Sequence, residues 1–239
     1  GNTINEIGHI NKDLICITAA MKLGTKLDKF SLNHNDRYID VGIAESHALT
    51  YAAGLSAAGK KPLVVMYSTF FQRAYDQVIH DILLQSLPVT ICLDRAGLVG
   101  PDGPTHHGVY DIAMLIGLPN IIVTAPKDGN ELKNLIHTAL SSNIAFSIRY
   151  PKTTSIDYDE SVEPSILDIG SWEIMNEGSL IAILAVGSTV RIATTALKLI
   201  KEKLDINPTI INCRFIKPLD KECLDNLSKS HKSIITMEE

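Results

Sequence analysis

The chain has 239 residues, 45% of them hydrophobic, enough to bury one full core and leave material for a second, smaller unit, so two domains are expected. Its 22 basic and 27 acidic residues are mixed along the sequence and sum to a formal charge of -5, leaving no basic stripe of the kind that nucleic acid or an anionic membrane requires. No apolar stretch reaches the roughly 20 residues that span a bilayer, and Gly1-Asn2-Thr3-Ile4-Asn5-Glu6 lacks the charged and apolar regions of a signal peptide, so a soluble chain is expected.

In chain order, short β-branched runs alternate with longer segments of helical period, the pattern of parallel strands covered on both faces and hence of an α/β fold. Strands are expected at residues 14–18 and 38–41, followed by a crossover helix over the Ala- and Leu-rich residues 44–58. A strand at 63–67 leads into 69–85, where Phe71, Ala74, Val78, Ile82 and Gln85 fall on one stripe of an amphipathic helix. Further strands are expected at 89–93, 121–124 and 145–149. Asp128 before Glu131, followed by Leu132, Leu135 and Ile136, reads as the capped start of a helix after the Ala125-Pro126 turn.

Residues 151–164 lapse into Thr, Ser, Asp, Glu and Pro, the composition of a linker. The expected division is a first domain over 1–155, a linker over 156–164 and a second domain over 165–239. In the second, strands near 180–186, 209–213 and 233–237 alternate with helices near 190–203 and 220–229. This unit reads as unfinished, because no helix follows the last strand to cover the sheet face it extends. Cys16, Cys92, Cys213 and Cys223 lie far apart, three of them in or beside apolar runs, and are expected as reduced thiols of a cytosolic-type protein rather than a disulfide frame or a metal site.

Three loops fall at the C-terminal ends of predicted strands, where open α/β sheets bind ligands. The first, residues 40–47, places Glu45 in the first turn of a helix; a Glu there also suits the helix dipole with no further role. The second, residues 67–76, brings Tyr67, Phe70, Phe71 and Arg73 to a helix start, which core packing plus a surface ion pair also explains. The third, residues 94–108, holds four glycines, two prolines, Arg95, Asp94, Asp102, His106 and His107 with almost nothing to pack, and such loops are usually functional. A metal site is its rival reading, but the spacing matches no standard ligand pattern and no Cys is near.

The phrases Tyr-Ser-Thr-Phe-Phe-Gln-Arg-Ala-Tyr-Asp-Gln-Val-Ile-His-Asp (67–81) and Asp-Arg-Ala-Gly-Leu-Val-Gly-Pro-Asp-Gly-Pro-Thr-His-His-Gly (94–108) resemble the pyrimidine-binding domain of the 1-deoxy-D-xylulose-5-phosphate synthases, within the transketolase superfamily. The resemblance runs from about Leu14 to Pro151 and continues more weakly into a truncated version of the family's C-terminal domain. It implies a parallel-sheet, thiamine-diphosphate pyrimidine-binding domain followed by an incomplete transketolase C-terminal α/β domain. It further implies a thiamine-diphosphate-dependent transferase that condenses pyruvate with glyceraldehyde 3-phosphate, with loss of carbon dioxide, at the entry to non-mevalonate isoprenoid synthesis.

By the same resemblance, Glu45 matches the carboxylic acid that hydrogen-bonds a ring nitrogen of the cofactor's aminopyrimidine, and Phe70 the residue that stacks on that ring. Tyr67, Arg95 and Arg149 match residues that grip the acceptor's phosphate, a role that suits two guanidiniums and a phenol. Arg73 and Asp102 match active-site positions for substrate binding or loop organisation. His106 matches the histidine that contacts donor and acceptor oxygens and assists proton transfer, whereas His107 is expected to shape the loop, and His47 and His80 to be structural. The family holds the cofactor's diphosphate through Mg²⁺ on a Gly-Asp-Gly segment and a downstream Asn of an N-terminal domain. Neither is matched here, and no metal ligand is expected in this chain.

The resemblance thus implies a partner domain for the diphosphate, a homodimer, and a chain that does not turn over alone. Three readings of the missing half follow: a fragment of a synthase, the C-terminal subunit of a split transketolase-like enzyme, or a non-catalytic binding module of the same fold. The implied location is the cytoplasm of a bacterium or a plastid-type organelle.

Overall fold

The computed structural model describes residues 1–153 and 158–239. Buried parallel strands need apolar side chains on both faces, and the β-branched runs supply them at β1 (Leu14–Thr18), β2 (Tyr38–Asp40), β3 (Lys61–Tyr67), β4 (Thr90–Asp94), β5 (Ile121–Thr124) and β6 (Ala145–Tyr150). These six pair in parallel in the order β5-β6-β4-β3-β1-β2. Alternate residues serve opposite cores: Ile17, Val64, Met66, Ile91 and Leu93 face one, while Leu14, Cys16, Leu63, Val65, Cys92 and Phe146 face the other.

The first core is closed by α3 (Glu45–Ala57) and by the segment after β3; the second by α1 (Asn2–Ile10), α2 (Asp28–Asn33) and α7 (Gly129–Ser141). At α7 the cap expected from sequence is present, Asp128 accepting from the Glu131 amide at 2.8 Å, and Glu131 adds a bond from the Lys127 amide at 2.7 Å. α1 and α2 are additions to the sequence reading. Neither has a side-chain N-cap, and both are held by packing of Ile4, Ile7 and Phe30 into the second core.

The regular helix expected over 69–85 is corrected. The chain instead runs through α4 (Ser68–Phe71), a 3₁₀ turn (Gln72–Ala74), α5 (Tyr75–Gln77) and a π-helical stretch (Val78–Leu83). Phe71, Ala74, Val78 and Ile82 are fully buried, but Gln85 is exposed, because the wide π turn shifts the phase that a period of 3.6 extrapolates.

Beyond the linker region, β8 (Leu180–Ala185), β9 (Thr209–Asn212) and β11 (His231–Met237) are parallel, and β7 (Glu173–Asn176) adds antiparallel to β9. This sheet is flanked by α8 (Thr189–Leu204) and α9 (Lys221–Ser230), while Ile234 and Ile235 on β11 remain 43% and 47% exposed. β10 (Phe215–Lys217) crosses back and joins the edge of the first sheet, antiparallel to β5. Around it Trp172 Nε1 donates to the Phe215 carbonyl at 2.7 Å, and Asn212 Nδ2 donates to buried Glu131 at 2.8 Å. The expected linker, 156–164, begins at residues outside those described. Its later part lies along α7, where Lys133 donates to the Glu160 and Val162 carbonyls. Cys16, Cys92 and Cys213 are buried thiols and Cys223 is half-buried; none is in a disulfide.

Candidate active site

The C-terminal ends of β2, β3, β4 and β6 share one edge of the first sheet, and each delivers a side chain singled out from sequence. At β2, Asp40 Oδ1 accepts from the Ala20 and Gly42 amides at 2.8 and 3.0 Å. Gly42 then turns the chain at φ +71°, so Glu45 becomes the first residue of α3. Only 4% of Glu45 is exposed. Burying a lone carboxylate is costly, and Arg73 Nη1 offsets the cost by donating to Glu45 Oε1 at 2.9 Å. Glu45 Oε2 makes no hydrogen bond among the described residues.

From Arg73 a chain of contacts continues outward. Its guanidinium carbon lies 4.7 Å from the Phe70 ring centre. The Phe70 ring is 5.5 Å from Tyr67 in a stacked arrangement and 5.5 Å from His106 edge to face. Arg95 sits 3.9 Å over the Tyr67 ring and pairs with Asp102, which also pairs with Lys152. Gly24 packs against the Tyr67 phenol so closely that a Cβ there falls 1.9 Å from its oxygen.

The long loop is closed at its neck by reciprocal backbone hydrogen bonds between Gly97 and Gly108, at 2.8 and 2.9 Å. Gly108 permits this closure: a Cβ there would meet Ser68 Cβ at 2.5 Å and the Arg95 carbonyl at 2.6 Å. Within the loop His107 Nδ1 accepts from the Val99 amide at 3.1 Å. Thr69 Oγ1 donates to the Thr105 carbonyl, and His106 Nδ1 lies 3.0 Å from Thr105 Oγ1. His47 is exposed beside Tyr51, and His80 pairs with Asp76; neither touches this chain of contacts.

Arg149 stands apart from it. Its position in β6 is level with Leu93 of β4, and its buried guanidinium donates from Nε to Asp111 Oδ2 at 3.0 Å. Two participants were not found from sequence: Asp111, in the first turn of α6 (Asp111–Ile116), and Lys152, just past β6. Each acts through a partner 38 or 50 positions away, and an isolated Asp or Lys carries no local signal of such a pairing.

Asp94, at the end of β4, has its carboxyl pushed up from 3.8 to about 6, chiefly by burial. A carboxyl whose pKa is raised by folding binds its proton more tightly in the folded state, so its contribution to stability declines as pH rises from about 4 to about 6 and is level above. Asp94→Asn is therefore expected to be more stable than the parent at pH 7.5, by at most about 3 kcal/mol, and no more stable at pH 4. Thermal unfolding midpoints of both proteins across that range check the sign.

Among the described residues no three His, Cys, Asp or Glu side chains cluster as metal ligands, and no helix is long and apolar enough to cross a membrane.

Comparison with known proteins adds the family. The model for the transketolase pyrimidine binding domain matches residues 1–155, and that for the transketolase C-terminal domain matches residues 170–239. Over 239 residues the chain is 47% identical to the 1-deoxy-D-xylulose-5-phosphate synthase of Syntrophus aciditrophicus and 46% identical to that of Dictyoglomus thermophilum. All of this chain is covered but only 37% and 38% of theirs, so it spans well under half the length of these relatives. Among solved structures, a split gene transketolase described as an inactive beta4 tetramer superposes with a TM-score of 0.85 at 26% identity, covering 100% of this chain and 77% of that one. A transketolase from Pichia stipitis shares the fold, with a TM-score of 0.80 at 21% identity over 99% of this chain and 40% of that one. The chain belongs to the transketolase family, with a pyrimidine-binding domain followed by sequence of the family's C-terminal domain.

Proposed function

We propose that this chain is the pyrimidine-holding and acceptor-binding part of a 1-deoxy-D-xylulose-5-phosphate synthase, which condenses pyruvate with glyceraldehyde 3-phosphate and releases carbon dioxide. The observation that carries this reading is the identity of 45–47% over all 239 residues to proteins named as that synthase, against 26% to the split gene transketolase. The division into a domain over 1–155, a linker over 156–164 and a domain over 165–239 is part of the proposal.

The site suits the cofactor's aminopyrimidine. Glu45 offers a buried carboxyl with one oxygen held by Arg73 and the other without a hydrogen bond among the described residues, as a ring nitrogen requires, and the same Arg73 lies against the aromatic ring of Phe70. Bound thiamine diphosphate supplies the electron sink for decarboxylation; the residues of this chain orient, neutralise and move protons. Arg95, Tyr67 and Arg149 hold the acceptor's phosphate, Asp102 keeps Arg95 and Lys152 in place, and His106 serves the substrate oxygens. Mg²⁺ and the cofactor's diphosphate are assigned to protein outside these 239 residues.

The test is an assay for carbon dioxide and 1-deoxyxylulose 5-phosphate from pyruvate and glyceraldehyde 3-phosphate. The chain alone is expected to be inactive and to gain activity with a diphosphate-binding domain, on the same polypeptide or added in trans. Clear turnover by the chain alone overturns the division of labour, and use of a ketose phosphate in place of pyruvate favours a transketolase. That second reading, a subunit of a split transketolase-like enzyme, is supported by the match to the split gene transketolase over the whole of this chain.

A homodimer is also proposed. The outward face of α3 carries His47, Thr50, Tyr51, Gly54 and Ala57 with no Lys, Arg, Asp or Glu, next to Ile43 at 83% exposure, and an exposed surface this poor in charge is what a subunit contact covers. Gly54 has open space where a Cβ would stand, so Gly54→Arg is compatible with the fold of one chain. It is expected to halve the mass of the assembled gene product in light scattering.

A further inference from the structure

Arg149 lies near the C-terminal end of β6, buried at the site edge, where little water reaches its guanidinium. Only 6% of it is exposed, and its strand neighbours at the same level are Leu93 and, one strand further, Met66. Its Nε donates to Asp111 Oδ2 at 3.0 Å, and Nη2 donates to the Glu239 carbonyl at 3.4 Å. Nη1 makes no hydrogen bond among the described residues.

Asp111 is itself fixed. It is 2% exposed, and its Oδ1 accepts from the Ile112 amide at 2.8 Å, so neither carboxylate oxygen is free to swing. α6, which carries it, is anchored to the opposite side of the site: Tyr75 Oη donates to the Met114 carbonyl at 2.8 Å, and Leu115 is buried in the first core. A carboxylate held at both oxygens thus takes the Nε edge of the guanidinium, leaving Nη1 without a hydrogen bond among the described residues and Nη2 with only the long 3.4 Å contact to the Glu239 carbonyl, which an anion can replace.

We infer that Asp111 is a positioning residue for the acceptor's phosphate, acting through Arg149: it holds Nε so that the terminal nitrogens face a phosphate monoester. The inference rests on the proposed role of Arg149. Two effects oppose each other here. The Asp111 charge weakens the pull of Arg149 on an anion, while its geometry saves the cost of ordering a long side chain when the anion binds. In a buried, doubly held pair, ordering outweighs the loss of charge, so removing the carboxylate lowers affinity instead of raising it.

The experiment uses the full gene product and glycerol 3-phosphate, a phosphate monoester with no aldehyde to react. Its dissociation constant is measured by calorimetry for the parent, Asp111→Asn, Arg149→Met and the double variant. Asp111→Asn is expected to weaken binding by roughly ten- to a hundredfold. The double variant is expected to be no weaker than Arg149→Met, since Asp111 acts only through that side chain. In steady state the loss falls on the KM of the phosphorylated acceptor and not on that of pyruvate or of unphosphorylated glyceraldehyde.

Affinity unchanged or increased in Asp111→Asn, with Arg149→Met weakened, overturns the inference and leaves the site reading intact. Arg149→Met binding as the parent does overturns the site reading itself. Equal losses for pyruvate and for both acceptors assign Asp111 to stability alone and overturn the inference. Should Asp111→Asn fail to fold, Asp111→Glu keeps the charge but displaces it by one methylene; it is expected to lose affinity in the same direction, and full affinity in that variant overturns the inference.

Discussion

Replacing Glu45 by Gln is expected to lower kcat of the complete enzyme by about 10²- to 10⁴-fold, the range that a positioned proton-handling group contributes. The substitution changes charge with little change of shape. Glu45 Oε1 is taken by Arg73, so the oxygen left for the cofactor's ring nitrogen is Oε2, and the Gln amide cannot hold a proton there as a carboxyl does. Arg73 loses its ion pair, but its side chain is 56% exposed and water can replace the carboxylate, so the fold is expected to survive. Because the diphosphate is anchored elsewhere under the proposed reading, affinity for thiamine diphosphate measured by calorimetry is expected to weaken by much less than kcat. A Glu45→Gln enzyme within tenfold of the parent's kcat would remove Glu45 from the chemistry.

The parts of this fold that could be read from sequence are those where local pattern and tertiary need coincide. The strands around Leu14, Leu63, Thr90 and Ala145 are buried on both faces, so most of their side chains are apolar, with Thr18, Thr90, Ser147 and Arg149 as the buried polar exceptions, and that pattern is visible. The α7 cap is visible for a similar reason, since Asp128 accepts from the Glu131 amide and Glu131 from the Lys127 amide, all within one turn of chain. β10 is different: Phe-Ile-Lys is too short to announce a strand, and it becomes one only because β5 offers an open edge. The break at 72–83 was hidden because its apolar spacing is helical even where its hydrogen bonding is not. At the site, residue types were legible and pairings were not. Nothing near Arg73 indicates that it meets Glu45, 28 positions away, and nothing near Arg149 points to Asp111.

Arg95→Met is expected to raise the KM for the phosphorylated acceptor by roughly ten- to a hundredfold, through loss of a charge-assisted contact, while leaving the KM of pyruvate near the parent value. Methionine keeps an unbranched apolar stem over the Tyr67 ring, where the guanidinium now lies at 3.9 Å, so packing is largely retained and charge is what changes. Backbone strain is not a confounder: Arg95 already occupies φ +60°, and methionine meets the same cost there as arginine. Asp102 keeps Lys152 as its counter-ion. Arg95→Lys separates charge from shape, since an ammonium restores the charge but not the planar group that can lie flat on Tyr67 and still present paired donors to phosphate. Recovery by Lys to the parent KM would mean that the site needs only positive potential, and a partial recovery is the expected result. A salt titration separates the same terms: the part of the affinity due to charge alone weakens as ionic strength rises, whereas the stacked and hydrogen-bonded part, partly shielded from water at 16% side-chain exposure, weakens less.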